Sequence, residues 1–152
     1  MRVSLLYHGA GLPQEGGEKG IRSVAVRVQA EEAVIRLARH YRLGLASSSP
    51  RDVIAYVLER SGLDKHFTAW VSSDDVPRGK PAPDVYLKAC RDLGLAPQEC
   101  VAVEDSRFGI QAARAACLKV IAIPQPYLPL TPDDIALADR TLDSIAALVP
   151  EV

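Results

Sequence analysis

The sequence predicts an α/β protein with three layers, in which a doubly wound, mostly parallel sheet is covered by helices on both faces. The first observation is that, from about residue 30, stretches with apolar residues spaced three and four apart alternate with short apolar runs. This alternation is typical of successive strand–helix units that build a parallel sheet. The second observation is the length of 152 residues, which is enough for one compact domain with its own hydrophobic core.

The first predicted helix covers residues 31–41, where the apolar side chains form one stripe. A short buried strand is expected at 43–46. Ser49 is expected to cap the second helix, with Pro50 in its first position, because a serine side chain can accept a hydrogen bond from a free backbone N–H. Gly62 is expected to end this helix, since glycine readily adopts the left-handed conformation of a C-terminal cap.

The rest of the predicted core repeats this order of strand and helix. Most boundaries are marked by a glycine, a proline or a capping hydroxyl residue. The predicted elements are a strand at 68–71, a helix at 83–93 that ends at Gly94, a strand at 100–103, a helix over 109–116 capped by Ser106, a strand at 119–123, a helix from Thr131 and a last short helix at 144–148.

Residues 1–29 differ from the core, which is predicted for residues 30–152. Residues 2–7 have the composition of a strand, and the glycines and prolines that follow predict a flexible stretch. Residues 21–28 alternate in part and predict one strand of a small hairpin. Residues 1–29 are therefore expected to be an atypical N-terminal segment, which can supply a replacement strand and a flap to the core.

Charge and composition exclude several classes of protein. The formal net charge is −1, so the chain lacks the basic excess that nucleic-acid or anionic-membrane binding requires. No apolar run is long enough to cross a bilayer, and the N-terminus lacks the apolar region of a signal peptide, which predicts a cytoplasmic location. The cysteines Cys90, Cys100 and Cys117 lack metal-binding spacing and are expected to be buried free thiols.

Three polar clusters follow predicted strands, at the carboxyl ends where open α/β sheets bind their ligands. Ser47 and Ser48 lie between a strand and a helix, where backbone N–H groups and the helix dipole favour an anion. The same residues also fit an ordinary capped turn. Lys80 is flanked by a glycine and a proline and fits an ammonium preorganised for a phosphoryl group, whereas the alternative is a solvated loop lysine.

Glu104 and Asp105 form the third cluster, a pair of adjacent carboxylates after an apolar strand. Neighbouring residues of a strand face opposite sides, so the two converge only if the strand ends there and the chain turns. Oxygen ligands of this kind suit Mg²⁺, and the alternative is a helix N-terminus that acids stabilise. The order of serine, lysine and acid pair, each after a successive strand, predicts a site for a phosphate and a divalent ion.

The strings LASSS, GKPAPDVYLKA and VAVEDSRFGIQAARAA resemble motifs two, three and four of the haloacid dehalogenase superfamily, most of all its β-phosphoglucomutase and phosphoglycolate phosphatase branch. The resemblance covers most of the predicted core. It implies a Rossmann-like fold and phosphoryl transfer on a small phosphorylated metabolite with Mg²⁺. It further implies that Ser47 binds a phosphoryl oxygen, that Lys80 neutralises the phosphate, and that Glu104 and Asp105 hold the metal. Cys117 stands where the family often has glycine.

In that family a D-x-D motif ends the first strand and supplies an aspartate nucleophile, which becomes an aspartyl-phosphate, and a second aspartate for proton transfer. This chain has no such motif, since its first acidic residue is Glu15 and its first aspartate is Asp52. Tyr7 or His8 would lie near the ion if this segment fills the central strand, and His8 is a chemically conceivable phosphoryl acceptor. The sequence also leaves no room for the helical cap domain usual in this branch, so a capless core is expected.

The sequence leaves three functions open. The chain can be a phosphatase or phosphomutase core that is truncated or completed by a partner chain, in which case exposed sheet edges would promote association. It can be a pseudoenzyme, in which residues 1–29 rebuild the missing strand and the site binds phosphate or a phosphorylated metabolite without turnover. It can also be a degenerate structural remnant. The sequence does not identify a substrate.

Overall fold

The structure is a computed structural model, and it describes residues 4–7, 28–126 and 129–150. A six-stranded sheet with the order β3-β2-β1-β4-β5-β6 forms its centre, and every neighbouring pair in it is parallel. The strands are β1 (Ser4–Tyr7), β2 (Leu43–Ser47), β3 (Phe67–Ser72), β4 (Cys100–Glu104), β5 (Lys119–Ala122) and β6 (Arg140–Thr141). The predicted parallel α/β sheet is confirmed.

Helices connect the strands and cover both faces of the sheet. The α-helices are α1 (Val28–Ala38), α2 (Arg51–Ser61), α3 (Asp84–Leu93), α4 (Arg107–Ala115) and α5 (Pro132–Ala136). Short 3-10 helices cover Asp64–His66, Ser73–Asp75, Pro97–Glu99 and Ile145–Ala147.

Two apolar clusters hold the three layers together. One cluster packs α3 and α4 against the sheet through residues such as Val85 and Ile110, and the other packs α1 and α2 against the opposite face through residues such as Leu37 and Leu58. Strand residues supply the two clusters in alternation, because successive side chains of a strand face opposite sides. The predicted three-layer architecture is therefore confirmed.

Strand β1 lies at the centre of the sheet, between β2 and β4. The strand order reverses beside it, since β2 and β3 lie on one side and β4, β5 and β6 on the other. Its last residue, Tyr7, is in register with Leu45 of β2 and Val103 of β4. Open α/β sheets bind ligands outside the carboxyl ends of the strands at such a reversal, so the topology alone predicts a binding site at this edge of the sheet.

The helix boundaries differ from the prediction at α1, which begins at Val28 and ends at Ala38 instead of covering 31–41. The reason is that Ala30 is buried on the same stripe as the apolar residues that follow it, so the buried face starts one turn earlier. Val28 was expected to end a hairpin strand and instead begins this helix. The rest of that predicted strand, the glycine-rich stretch and the flap fall in residues 8–27, outside the described residues, and the division of the chain at residue 29 stays a prediction.

Helix ends at Gly62 and Gly94 are confirmed. Both glycines adopt the left-handed conformation, with φ of 65° and 68°, and each donates its backbone N–H to a carbonyl of the last turn. The cap at Ser106 and the helix start at Thr131 are also confirmed, because each side chain accepts a backbone N–H three residues later. The last short helix is a 3-10 helix, and β6 was not predicted.

The cysteine prediction holds for Cys90 and Cys100, which are buried, and is wrong for Cys117, which is exposed. Cys117 follows the end of α4 and has a φ of 63°, the left-handed conformation that glycine adopts at the other two helix ends. Its N–H donates to the Arg114 carbonyl at 2.9 Å, and the next residue, Leu118, donates to Ala113 at 3.0 Å. This pair of bonds is a Schellman cap, which turns the chain out of the helix.

Within the residues that the structure describes, no helix has the length and apolar character needed to cross a membrane. The cytoplasmic location stays a prediction.

Candidate phosphate site

The candidate site lies at the carboxyl ends of β2 and β4, on either side of β1. Ser47 is the last residue of β2, and Glu104 is the last residue of β4. Lys80 reaches the same place from the loop that follows β3, where its ammonium contacts both strands. The three predicted clusters therefore meet at one edge of the sheet.

Ser47 is buried, with 6 % of its surface exposed, and its hydroxyl oxygen accepts the backbone N–H of Ser49 at 3.1 Å. Ser48, between them, is exposed. The chain thus makes a tight turn between β2 and α2, held by a side chain that precedes the helix. The Ser47 hydroxyl retains a hydrogen that it can donate to a bound anion.

A second loop clamps this serine turn from the side of β3. The Ser72 hydroxyl donates to the Ser49 carbonyl at 2.8 Å, and the Ser73 hydroxyl donates to the Ser48 carbonyl at 2.9 Å. Ser72 is fully buried, so its bond is shielded from water. The position of the serine turn is therefore fixed by residues at the end of the neighbouring strand β3.

The N-terminus of α2 is capped by this second loop and not by Ser49. Pro50 occupies the cap position without a side-chain hydrogen bond, and the first helical N–H, that of Arg51, donates to the Asp74 carboxylate at 2.9 Å. The Arg51 side chain pairs with Asp75 at 2.6 Å and lies over the Trp70 ring. The predictions for Ser49 and Pro50 are wrong, because the helix begins one residue later, at Arg51, and a carboxylate far along the chain reaches the free N–H.

Lys80 is buried, with 3 % of its side chain exposed. Its Nζ donates to the Ala46 carbonyl at 3.2 Å, the Tyr86 hydroxyl at 3.2 Å and Glu104 Oε1 at 2.5 Å. Because Ala46 directly precedes Ser47, the first bond puts the ammonium beside the serine turn. Burial lowers the pKa of Lys80, and the negative charge of Glu104 opposes this shift.

The loop that carries Lys80 is closed by an ion pair between Arg78 and Asp84. Arg78 donates to both carboxylate oxygens of Asp84, at 2.8 and 3.1 Å, which is the two-pronged geometry typical of arginine. These hydrogen bonds lower the pKa of Asp84. The peptide bond between Lys80 and Pro81 is cis.

Glu104 is the most enclosed charged residue of the site, with no exposed side-chain surface. Its Oε1 accepts from Lys80 and from the Tyr86 hydroxyl, and its Oε2 accepts from the Ser106 hydroxyl at 3.1 Å. The carboxyl group lies directly on Gly109 of α4, where a Cβ would overlap it. The packing of β4 against α4 at this point therefore depends on a glycine.

Comparisons with known proteins identify the family of this chain. The family model described as haloacid dehalogenase-like hydrolase matches residues 16–123, which is more than half of the chain. The chain belongs to the haloacid dehalogenase-like hydrolase family. The resemblance of its three motifs is thereby confirmed, and the match begins after β1, so that this strand lies outside the matched region.

Its relatives in this family include phosphatases. The chain is 40 % identical to hexitol phosphatase B of Escherichia coli K12 over 106 residues, 70 % of this chain and 47 % of that protein. It is 34 % identical to the phosphoglycolate phosphatase of the same strain over 113 residues, 74 % of this chain and 45 % of that protein. Among solved structures, that of CbbY from Rhodobacter sphaeroides in complex with phosphate has 32 % identity and a TM-score of 0.71, covering 80 % of this chain and 55 % of that one. The chain thus spans about half the length of these relatives.

The fit of a magnesium ion differs between the two adjacent acids. Asp105 is buried, with 6 % of its surface exposed, in the turn after β4, and a carboxylate there suits a hard cation. Both oxygens of Glu104 already accept hydrogen bonds from protein donors. Among the described residues, no three histidine, cysteine or acidic side chains are gathered as a metal site. The carboxylate chemistry of this acid pair fits Mg²⁺, and metal binding by Glu104 and Asp105 stays a prediction.

Two residues of the site were not expected from the sequence to contact Glu104. Tyr86 lies on the buried face of α3, where its position in the apolar stripe indicates packing and nothing signals a polar contact. Gly109 follows the acid pair within a helix, and a glycine in a helix is itself a signal of close approach. Tyr7 ends the central strand as expected, and His8 lies outside the described residues.

Proposed function

We propose that this chain binds the phosphoryl group of a small phosphorylated metabolite as the core of a phosphohydrolase or phosphomutase. The observation that carries this proposal is the burial of the Lys80 ammonium between the Ala46 carbonyl, next to Ser47, and the Glu104 carboxylate. A buried ammonium beside a serine turn offers positive charge and hydroxyl donors to the same anion.

Each predicted site residue takes a part in this proposal. Ser47 donates its hydroxyl to a phosphoryl oxygen, and Ser48, exposed in the same turn, contributes its backbone N–H. Lys80 neutralises the phosphate charge. Arg51 is assigned no contact with the phosphate, because its side chain pairs with Asp75 and lies over the Trp70 ring.

We propose Mg²⁺ as the metal of the site, held by the Asp105 carboxylate. A magnesium ion is commonly bound by one or two carboxylates together with substrate phosphate and water, and Asp105 supplies one carboxylate of this kind. When bound, the ion offsets the charge of the phosphoryl oxygens. Glu104 holds Lys80 in place and shapes the edge beside the ion.

A second candidate function is binding without turnover, and the sequence of β1 favours it. The family chemistry uses a carboxylate at the end of the first strand, and the central strand Ser4–Tyr7 carries none. Catalysis by the usual route would then need an aspartate from another source, such as a partner chain. Catalysis by another route would need a different acceptor, such as Tyr7 or His8.

The relatives support a small phosphorylated ligand. A solved relative, CbbY, is described in complex with phosphate, and two curated relatives are named for hexitol and phosphoglycolate phosphatase activity. This chain spans about half of each of them, and what these relatives share is a ligand with a phosphoryl group. The ligand proposed for this chain is accordingly a small metabolite that carries a phosphoryl group.

Two measurements on the full chain test the proposal. Isothermal titration with inorganic phosphate in the presence of MgCl₂ measures binding, and release of phosphate from an aryl phosphate, with Mg²⁺ or with EDTA, measures turnover. Lys80→Met and Ser47→Ala are the site variants, and Lys88→Met is the matched control, since Lys88 lies on the surface of α3 and pairs with Asp92.

We expect phosphate binding that Lys80→Met and Ser47→Ala weaken at least tenfold and Lys88→Met leaves unchanged. Turnover that requires Mg²⁺ and Lys80 would favour the enzyme and make Tyr7 and His8 the next residues to replace. Binding without turnover would favour the second candidate. Absence of phosphate binding by the folded wild-type chain would refute both.

A further inference from the structure

We propose that Tyr86 is a positioning residue of the phosphate site, which fixes the Lys80 ammonium by holding both it and the Glu104 carboxylate. This inference rests on the proposed function, because it explains how the cation of that site is held. Tyr86 lies on the apolar face of α3, and this location by itself indicates only a packing role.

Tyr86 has no exposed surface and belongs to the apolar cluster between α3 and the sheet. For packing alone a phenylalanine would serve, and a buried hydroxyl costs free energy unless it finds partners. The Tyr86 hydroxyl finds two, since it donates to Glu104 Oε1 and accepts from Lys80 Nζ at 3.2 Å. Burial raises the pKa of Tyr86, so the phenol keeps the proton that it donates.

The three side chains form a closed set of contacts. Lys80 bonds to Glu104, Glu104 accepts from Tyr86, and Tyr86 accepts from Lys80. The ammonium also lies 4.7 Å from the centre of the Tyr86 ring, within the range of a cation–π contact. Lys80 comes from a loop and has four rotatable side-chain bonds, so these contacts restrict it far more than Glu104 alone would.

The far side of Glu104 is already fixed. The Ser106 hydroxyl donates to Oε2, and the absence of a Cβ at Gly109 lets the carboxyl group rest on α4. Tyr86 completes this enclosure on the Oε1 side. Loss of its hydroxyl removes one acceptor from Lys80 and one donor from Glu104, and the ammonium can then turn away from the serine turn.

The first test compares Tyr86→Phe with wild type in titrations with inorganic phosphate and MgCl₂. We expect binding about tenfold weaker, the change that loss of one hydrogen bond to a charged group produces. The matched control is Tyr41→Phe, a half-buried tyrosine that packs against the cluster on the other face of the sheet. Circular dichroism verifies that both variants are folded.

The second test observes the Lys80 ammonium directly by NMR, in the absence of any ligand. In an ¹H–¹⁵N spectrum of lysine side chains, the buried Lys80 ammonium should give a protected signal, assigned by its loss in Lys80→Met. In Tyr86→Phe this signal should shift and exchange faster with water, whereas in Tyr41→Phe it should not change. A residue that serves packing alone would leave the ammonium signal unaffected.

The outcomes separate this inference from the proposed function. An unchanged Lys80 signal and unchanged phosphate affinity in folded Tyr86→Phe would overturn the part assigned to Tyr86. Failure of the wild type to bind phosphate would refute the proposed function, while the Lys80 signal would still decide whether Tyr86 fixes the ammonium. If Tyr86→Phe does not fold, the test is made on the wild type. The proposed contacts require nuclear Overhauser effects between the Lys80 ammonium and the Tyr86 ring, and the absence of these effects would overturn the inference.

Discussion

Gly109 of α4 lies against the carboxyl group of Glu104 so closely that a side chain at that position would occupy the same space. Glu104 cannot withdraw easily, because Lys80, Tyr86 and Ser106 hold its two oxygens. The glycine is therefore part of the site although it has no chemistry of its own. The consequences of this contact can be measured.

We predict that Gly109→Ala lowers the free energy of unfolding by about 2 kcal/mol, the cost typical of forcing extra atoms into a packed interior. It should also weaken phosphate binding, because Glu104 must move and Lys80 with it. Urea unfolding and phosphate titration measure the two effects. Gly79→Ala is the control, since nothing lies within 4 Å of a Cβ there, and an equal loss in both variants would contradict the prediction.

The ion pair of Lys80 and Glu104 should be strongly coupled. Removal of one partner leaves the other buried and unpaired, so Lys80→Met or Glu104→Gln should each cost about 3 kcal/mol of stability. The double variant should cost much less than the sum of the two. A double-mutant cycle in urea measures this coupling energy.

The control for that cycle is the surface pair of Lys88 and Asp92, with a similar separation of 2.9 Å and side chains 31 % and 37 % exposed. Solvent screens such a pair, so its coupling energy should be no more than about 0.5 kcal/mol. Equal coupling in the two cycles would show that burial does not strengthen the Lys80 pair.

Replacement of Cys117 by glycine should stabilise the protein. Its φ of 63° is the left-handed conformation, which costs about 1 kcal/mol or more for a residue with a Cβ and little for glycine. We expect Cys117→Gly to raise the free energy of unfolding by about 1 kcal/mol and Gly62→Ala, at an equivalent helix end, to lower it by a similar amount. Changes of the same sign in the two variants would refute this explanation.

Asp84 should make the stability depend on pH in the acid range. Its pKa is lowered from the ordinary 3.8 by hydrogen bonds from Arg78, so between the two values the unfolded chain binds more protons than the folded one. The stabilisation is therefore present above pH 4 and is lost as the pH falls through the folded pKa.

Urea midpoints measured between pH 2.5 and 6 test this prediction (a range set by the ordinary carboxyl pKa). Asp84→Asn and Arg78→Gln should each flatten the acid slope, since one removes the titrating group and the other removes the cause of its shift. If both variants keep the slope of the wild type, the pair does not contribute to it.

Much of the fold was predictable because its signals are local. The apolar stripes of α3 and α4, the glycines that end α2 and α3, and the capping hydroxyl of Ser106 each act within a few residues of the chain. The start of α2 was not predictable in the same way, because Asp74, which caps it, lies 23 residues away. The two-residue strand β6 is too short to leave a pattern.

The sequence by itself determined the parallel α/β architecture, the family and the identity of the polar clusters, because periodicity, capping residues and motifs each involve residues that are close together in the chain. The tertiary structure alone decided how the clusters meet. Lys80 and Glu104 are 24 residues apart, and their contact depends on strand order and on loop closure. The contact of Glu104 with Tyr86 depends on how α3 packs against the end of β4, and packing between distant segments does not show in the local sequence. Gly109 differs, because a glycine within a helix is a local signal of close approach.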